Sequence, residues 1–266
     1  MNPEKLTLPG LLRMKGQGDA IAMLTAYDAS LARLVDQAGA DCVLVGDSLG
    51  NVIQGRDSTL PVTVADMVYH TEAVRRGLSR ALLIADLPFL SYHDRASAID
   101  SAGRLMRAGA EMVKLEGGAA IVPQVEALVG QGIPVCGHLG LTPQHVHQLG
   151  GYRVQGRDEQ AAARLREDAA ALARAGAGML VLECVPASLA ASVSSALTIP
   201  VIGIGAGSDV DGQVLVSYDV LGISPPPRPR FVKNFMVGSD SIADALEAFV
   251  AAVRERRFPA AEHAYR

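Results

Sequence analysis

Five polar side chains sit at or near the ends of apolar runs in this 266-residue chain. Asp47 closes VLVGD, Asp86 closes LLIAD, Glu116 closes MVKLE and His138 closes VCGH, while Glu183 comes late in MLVLEC. The stretch EMVKLEGG, residues 111–118, places Lys114 two positions before Glu116. In a strand, residues two apart point to the same face, so Lys114 and Glu116 share a side with Met112 behind them. Burying a charge costs several kcal/mol unless it is paired or liganded. That face therefore meets solvent or opens into a site. Taken singly, a strand-end acid reads as a satisfied cap; five polar groups at equivalent positions read as one site.

The residue types define the chemistry such a site would perform. Two aspartates and a glutamate, with no sulfur ligand among them, suit a hard cation such as Mg²⁺. Magnesium keeps positions open for substrate oxygens and acts as a Lewis acid on a carbonyl. A lysine beside it pairs with a substrate carboxylate or with developing enolate charge. The set implies proton abstraction next to a carbonyl, followed by making or breaking a carbon–carbon bond, with the direction left open.

Elements that would position these groups follow from the pattern. Short apolar runs begin at Ile21, Cys42, Leu82, Met112, Pro134, Met179, Pro200 and Gly212. Between them, Val64–Gly77, Asp94–Ala108 and Asp158–Ala175 show the apolar spacing of helices. QAGAD, RAGAE and ARAGAG supply glycines where helices would stop. Strand–helix alternation of this length predicts one (β/α)₈ (TIM) barrel domain over residues 1–266, with active-site groups at the C-terminal ends of the strands. An open doubly wound sheet is the competitor, but its glycine-rich first turn is replaced here by TAYDAS. Thr7–Lys15 is expected as a short helix closing the barrel bottom and Ser239–Arg256 as a terminal helix. In barrel order Glu183 falls across from Asp47, free to act as a base instead of a ligand. GIGAG, residues 203–207, is read as close backbone approach at the rim, and GRDSTLPVT, residues 55–63, as a loop able to cover the site.

Composition sets the class. Hydrophobic residues make up 49% of the chain, enough for a large core. A net charge of −4 gives no electrostatic reason for a nucleic-acid or membrane partner. No signal-like N-terminus and no membrane-length apolar run is apparent. Cys42, Cys136 and Cys184 are isolated, as reduced buried thiols would be. A cytoplasmic enzyme is expected.

Beyond these readings, the chain closely resembles the ketopantoate hydroxymethyltransferase family. The segments carrying the likeness are MLTAYDASLARLVDQAGAD, VGDSLGN, DSTLPV, IADLPFLSY, GAEMVKLEGG, GIPVCGHLGLTPQ, GGYRVQGR, LVLECVP and IPVIGIGAG. The resemblance implies a Mg²⁺-dependent (β/α)₈ barrel, assembled as a homodecamer, in pantothenate biosynthesis. It implies hydroxymethyl transfer from 5,10-methylenetetrahydrofolate to 3-methyl-2-oxobutanoate, giving 2-dehydropantoate through a Mg²⁺-stabilised enolate. It also implies Asp47, Asp86 and Glu116 as the metal set, with Asp47, Ser48, Asp86 and Lys114 as oxo-acid contacts. Glu183 is the implied proton acceptor, in an apolar setting of Val181, Leu182 and Val185, and His138 is a pocket residue. Departures fall late in the chain. Tyr218–Asp219 stands where the family often has His-Asp, and Ile223–Phe231 is Pro-rich where glycines are common.

Three other functions compete. Lys114 on a barrel strand suits a Schiff-base aldolase, although three nearby carboxylates would hold its ammonium protonated. A metal-dependent oxo-acid aldolase or lyase of a related barrel would need no folate. A catalytically silent, metabolite-binding barrel would have little use for the complete acid–lysine set.

Overall fold

A computed structural model describes residues 4–224 and 228–265. Strands β1 (Ile21–Thr25), β2 (Cys42–Val45), β3 (Leu82–Asp86) and β4 (Met112–Glu116) are followed by β5 (Val135–Gly140), β6 (Met179–Glu183), β7 (Val201–Ile204) and β8 (Gly212–Leu215). All pair in parallel in chain order, and β1 pairs with β8 to close the barrel. That closure excludes the open doubly wound sheet. Every apolar run expected to be a strand is one.

Helices α1 (Leu8–Gln17) and α2 (Ala29–Gln37) flank β1. Between β2 and β3 run α3 (Leu49–Val52) and α4 (Val64–Arg75); α5 (Arg95–Arg107) precedes β4 and α6 (Val122–Gly130) precedes β5. A short α7 (Val146–Leu149) and the long α8 (Glu159–Arg174) follow β5, with α9 (Ala187–Ala196) after β6. After β8 come α10 (Ser217–Val220) and α11 (Ile242–Arg254). Asp28 caps α2 by accepting from the amides of Ser30 and Leu31, and Asp158 caps α8 by accepting from Ala161. Thr63 with Asp66, and Asp94 with Ser97, form reciprocal capping boxes on α4 and α5. The expected glycine stop is seen in RAGAE, where Gly109 takes φ +108° just past α5.

The strands are buried along nearly their whole length, as both faces of a barrel wall require. Helix α1 lies across the N-terminal end of the barrel. Its Lys15 bonds Asp211, just before β8, and the carbonyl of Ser194. Lys5, ahead of α1, pairs with Glu111 just before β4. The bottom is thus closed as expected. One connection departs from strict alternation: residues 205–211 return from β7 to β8 without a helix, where parallel strands commonly take roughly a dozen residues or more. Gly205, at φ +62°, begins this reversal, and a Cβ there would come within 2.8 Å of the Phe231 ring. The close approach expected of GIGAG is present. Pro225–Pro227 of the Pro-rich stretch lie outside the described residues. Among the described residues, no helix is long and apolar enough to cross a membrane, and all three cysteines are buried and unpaired.

Candidate active site

Strand register decides which polar groups meet. Between β3 and β4, Asp86 is the partner of Lys114; between β4 and β5, Glu116 is the partner of His138. Between β5 and β6, Gly140 is opposite Glu183 and His138 opposite Val181, so the imidazole lies just below the Glu183 carboxylate. Asp47 lies two residues past the end of β2, after Gly46. These six side chains line one cavity of about 830 Å³ at the C-terminal mouth. Ser48, Tyr152 and Asp219 line it too, as do residues of the 55–63 loop. A smaller cavity of about 300 Å³ beside α8 holds none of the six.

The contacts are dense. Lys114 Nζ is 3.1 Å from Asp86 Oδ1 and 3.9 Å from Glu116 Oε1. His138 Nδ1 lies 3.2 Å from Glu116 Oε1 and 3.1 Å from Lys114 Nζ. It accepts from the ammonium when it lacks a proton and donates to the carboxylate when it carries one. Its other nitrogen, Nε2, is 3.3 Å from Glu183 Oε2. The Asp47 amide donates to Asp86 Oδ2 at 3.0 Å, and the Asp47 carboxylate accepts from Gln144. Ser48 is held by the hydroxyl of Tyr27 at 2.9 Å.

Electrostatics follow from burial and neighbours. Burial, reinforced by the charges of Asp86 and Glu116, pushes the Asp47 carboxyl well above the usual carboxylate range. Burial also raises Asp86, against the pull of Lys114. For Glu116 the same burial is outweighed by His138 and Lys114, which hold it below its ordinary value. Burial alone would lower Lys114, but Asp86, Glu116 and Asp47 keep its ammonium above the ordinary lysine value. Burial and Lys114 would lower His138, but Glu116 and Glu183 prevail and raise it to about 8.

The expected site residues therefore converge. Lys114 and Glu116 face the barrel interior, which answers why a buried-looking strand carries two charges. Two details differ from expectation. Glu183, expected among apolar neighbours, has His138 as a polar contact. Glu116 already has both oxygens engaged, Oε2 by the backbone amide of Gln144 and Oε1 by His138. Sequence reasoning passed over Gln144 and Tyr92, which lie in GLTPQ and PFLSY on loops where no periodicity marks an inward-pointing side chain.

Among the described residues, no three His, Cys, Asp or Glu side chains form an all-protein metal cage. Asp47 and Asp86 nevertheless present a hard-oxygen pair. Each has one oxygen tied by a protein donor, and Asp86 Oδ1 is buried with no aligned hydrogen bond. Such a pair fits Mg²⁺, which is usually held by one or two carboxylates and completes its shell with water and substrate oxygens.

A closed parallel barrel with buried acids, a lysine and an imidazole at the C-terminal ends of its strands defines a (β/α)₈-barrel enzyme. Solved structures share that architecture at low identity. A 2,3-dimethylmalate lyase of the PEP mutase/isocitrate lyase superfamily superposes with TM-score 0.57 and 20% identity, over 81% of this chain and 82% of its own. A phosphonopyruvate hydrolase does so at TM-score 0.62 and 12% identity, over 79% and 80%. Sequence goes further than fold: the chain matches the ketopantoate hydroxymethyltransferase family over residues 5–261, and it belongs to that family. A 3-methyl-2-oxobutanoate hydroxymethyltransferase of Marinobacter nauticus is 55% identical over 98% of this chain and 99% of its own length. One from Azoarcus sp. is 58% identical over 98% and 97%.

Proposed function

We propose that this chain transfers a hydroxymethyl group from 5,10-methylenetetrahydrofolate to 3-methyl-2-oxobutanoate, giving 2-dehydropantoate for pantothenate synthesis. The observation that carries the reading is the row Asp47–Asp86–Lys114–Glu116, with Glu183 and His138 on the same cavity, in a chain so similar to enzymes of that name. Asp47 and Asp86 would hold Mg²⁺, with Glu116 as third acid of the set. When bound, Mg²⁺ supplies Lewis acidity toward the oxygens of the 2-oxo acid.

The chain's own residues account for the rest. Lys114 offers a fixed positive charge to the substrate carboxylate and to the enolate oxygen, in a site where burial strengthens the attraction. Ser48, oriented by Tyr27, donates or accepts one hydrogen bond. Glu183 takes the C3 proton, and His138 Nε2 stands within reach to share it. Carbon C3 then bonds to the folate methylene carbon as the first of that carbon's two bonds to folate nitrogen breaks. Water replaces the second nitrogen and supplies the product hydroxyl, and the two freed nitrogens take the proton removed from C3 and the proton released by water. Homodecameric assembly and a cytoplasmic location belong to the same proposal.

A coupled assay tests it. Purified protein with 3-methyl-2-oxobutanoate and methylenetetrahydrofolate should form 2-dehydropantoate only when Mg²⁺ is present. Cleavage of oxo acids without folate would instead establish the aldolase or lyase reading. Light scattering after size exclusion measures the assembly.

A further inference from the structure

We propose that Gln144, itself held by Tyr92, is a positioning residue that fixes the Asp47 carboxylate in the orientation a divalent cation requires. The inference rests on the reading of Asp47 and Asp86 as cation ligands. Gln144 is 4% exposed, yet it sits on the loop after β5 and reaches three other strand ends. Its Nε2 donates to Asp47 Oδ2 at 2.8 Å and to the Leu87 carbonyl at 2.9 Å. Its Oε1 accepts from the Tyr92 hydroxyl at 2.5 Å, and its backbone amide donates to Glu116 Oε2 at 2.9 Å. Both amide protons of the side chain are used, and its carbonyl is satisfied. A glutamine so placed is a brace.

Tyr92 holds the far end of the brace. Its hydroxyl donates to Gln144 Oε1 at 2.5 Å, with the Glu116 carbonyl a longer alternative acceptor at 3.2 Å, and its oxygen accepts from the Glu116 amide at 3.3 Å. Were the glutamine amide turned over, its oxygen would face the Asp47 carboxylate and the Leu87 carbonyl, two acceptors. Those two acceptors require Nε2 to face Asp47, which leaves Oε1 to accept from the tyrosine hydroxyl. Oδ2 of Asp47 is then taken by Gln144, and Oδ1 lies outside that bond. Asp86 is treated in the same way, with Oδ2 taken by the Asp47 amide. Each carboxylate is thereby held by one oxygen; Oδ1 of Asp47 is left for a ligand, and Oδ1 of Asp86 lies 3.1 Å from the Lys114 ammonium. Residues that orient ligands in this way typically contribute about 10–100-fold to metal affinity.

Mn²⁺, followed by the paramagnetic resonance of the free ion, serves as the probe in full-length protein without substrate. Parental protein should bind it, and Asp47→Ala should not. Gln144→Met, which keeps the shape and removes the amide, should weaken Mn²⁺ binding by about 10–100-fold. Tyr92→Phe, which removes one hydroxyl, should weaken it to a smaller degree. If Gln144→Met does not fold, Tyr92→Phe decides alone. Parental Mn²⁺ affinity in the variants, alongside loss in Asp47→Ala, would overturn the inference and leave the cation site standing. Failure of the parental protein to bind, or unchanged binding in Asp47→Ala, would overturn both.

Discussion

The ammonium of Lys114 lies 3.1 Å from Asp86 Oδ1, and neither side chain is more than 5% exposed. Parallel register puts them side by side on β4 and β3. A lysine so enclosed by carboxylates keeps its proton, which suits the fixed charge of the proposed mechanism and not an amine nucleophile.

Borohydride reduction in the presence of 3-methyl-2-oxobutanoate should accordingly leave the mass of Lys114 unchanged. Lys114→Arg keeps the charge but not the compact geometry, and activity should fall by about 10²-fold without vanishing. A substrate adduct on Lys114 by mass spectrometry would support the Schiff-base aldolase.

Asp47→Ala or Asp86→Ala should each lower Mg²⁺-dependent turnover beyond the roughly 10–100-fold typical of losing a supporting residue. Cooperative thermal unfolding should persist, because each variant removes one of three mutually repelling buried acids. In the parental enzyme, EDTA should abolish turnover and excess Mg²⁺ restore it. Full activity of either variant at ordinary Mg²⁺ contradicts the assignment.

Away from the site, Asp36 on α2 ties the segment before β3. It accepts from the amides of Ser79, Arg80 and Ala81 and from the Ser79 hydroxyl. Burial would raise its carboxyl, but these bonds outweigh burial and hold it below the usual range. A depressed folded-state value means the stabilisation is complete above the unfolded value, about 3.9, and is lost as pH falls through the folded value. Asp36→Asn should cost about 2–3 kcal/mol near neutral pH, since bonds to a charged acceptor contribute about 1.5–3 kcal/mol each and Asn retains one oxygen. The cost should shrink toward pH 3. Urea unfolding at pH 7 and pH 3 measures both, and an equal cost at the two values contradicts the account.

Much of this was legible in the sequence, for physical reasons. Barrel strands are buried on both faces, so they appear as unbroken apolar runs, and their polar ends stand out against them. Asp47, Asp86, Lys114, Glu116, His138 and Glu183 were all visible in that way, and the structure brings them to one cavity. Contacts made by loops were not legible. Gln144 reaches Asp47 across 97 residues of sequence, on a path set by the turn after Gly140. The His138–Glu183 contact depends on the β5–β6 stagger, which apolar patterning does not encode. The helix-free return from β7 to β8 was missed because a glycine-rich connection reads alike whether or not a helix follows.

Glu183 carries the central claim, that this mouth removes a proton from C3 of a 2-oxo acid. Exchange of the C3 proton of 3-methyl-2-oxobutanoate for deuterium, followed by NMR in D₂O with Mg²⁺ and without folate, isolates that step from one-carbon transfer. The parental protein should catalyse exchange. Glu183→Gln keeps size and hydrogen-bonding atoms but cannot accept the proton, and exchange should slow by about 10²–10⁴-fold. Exchange by Glu183→Gln at the parental rate would contradict the account and move the base to His138, 3.3 Å away.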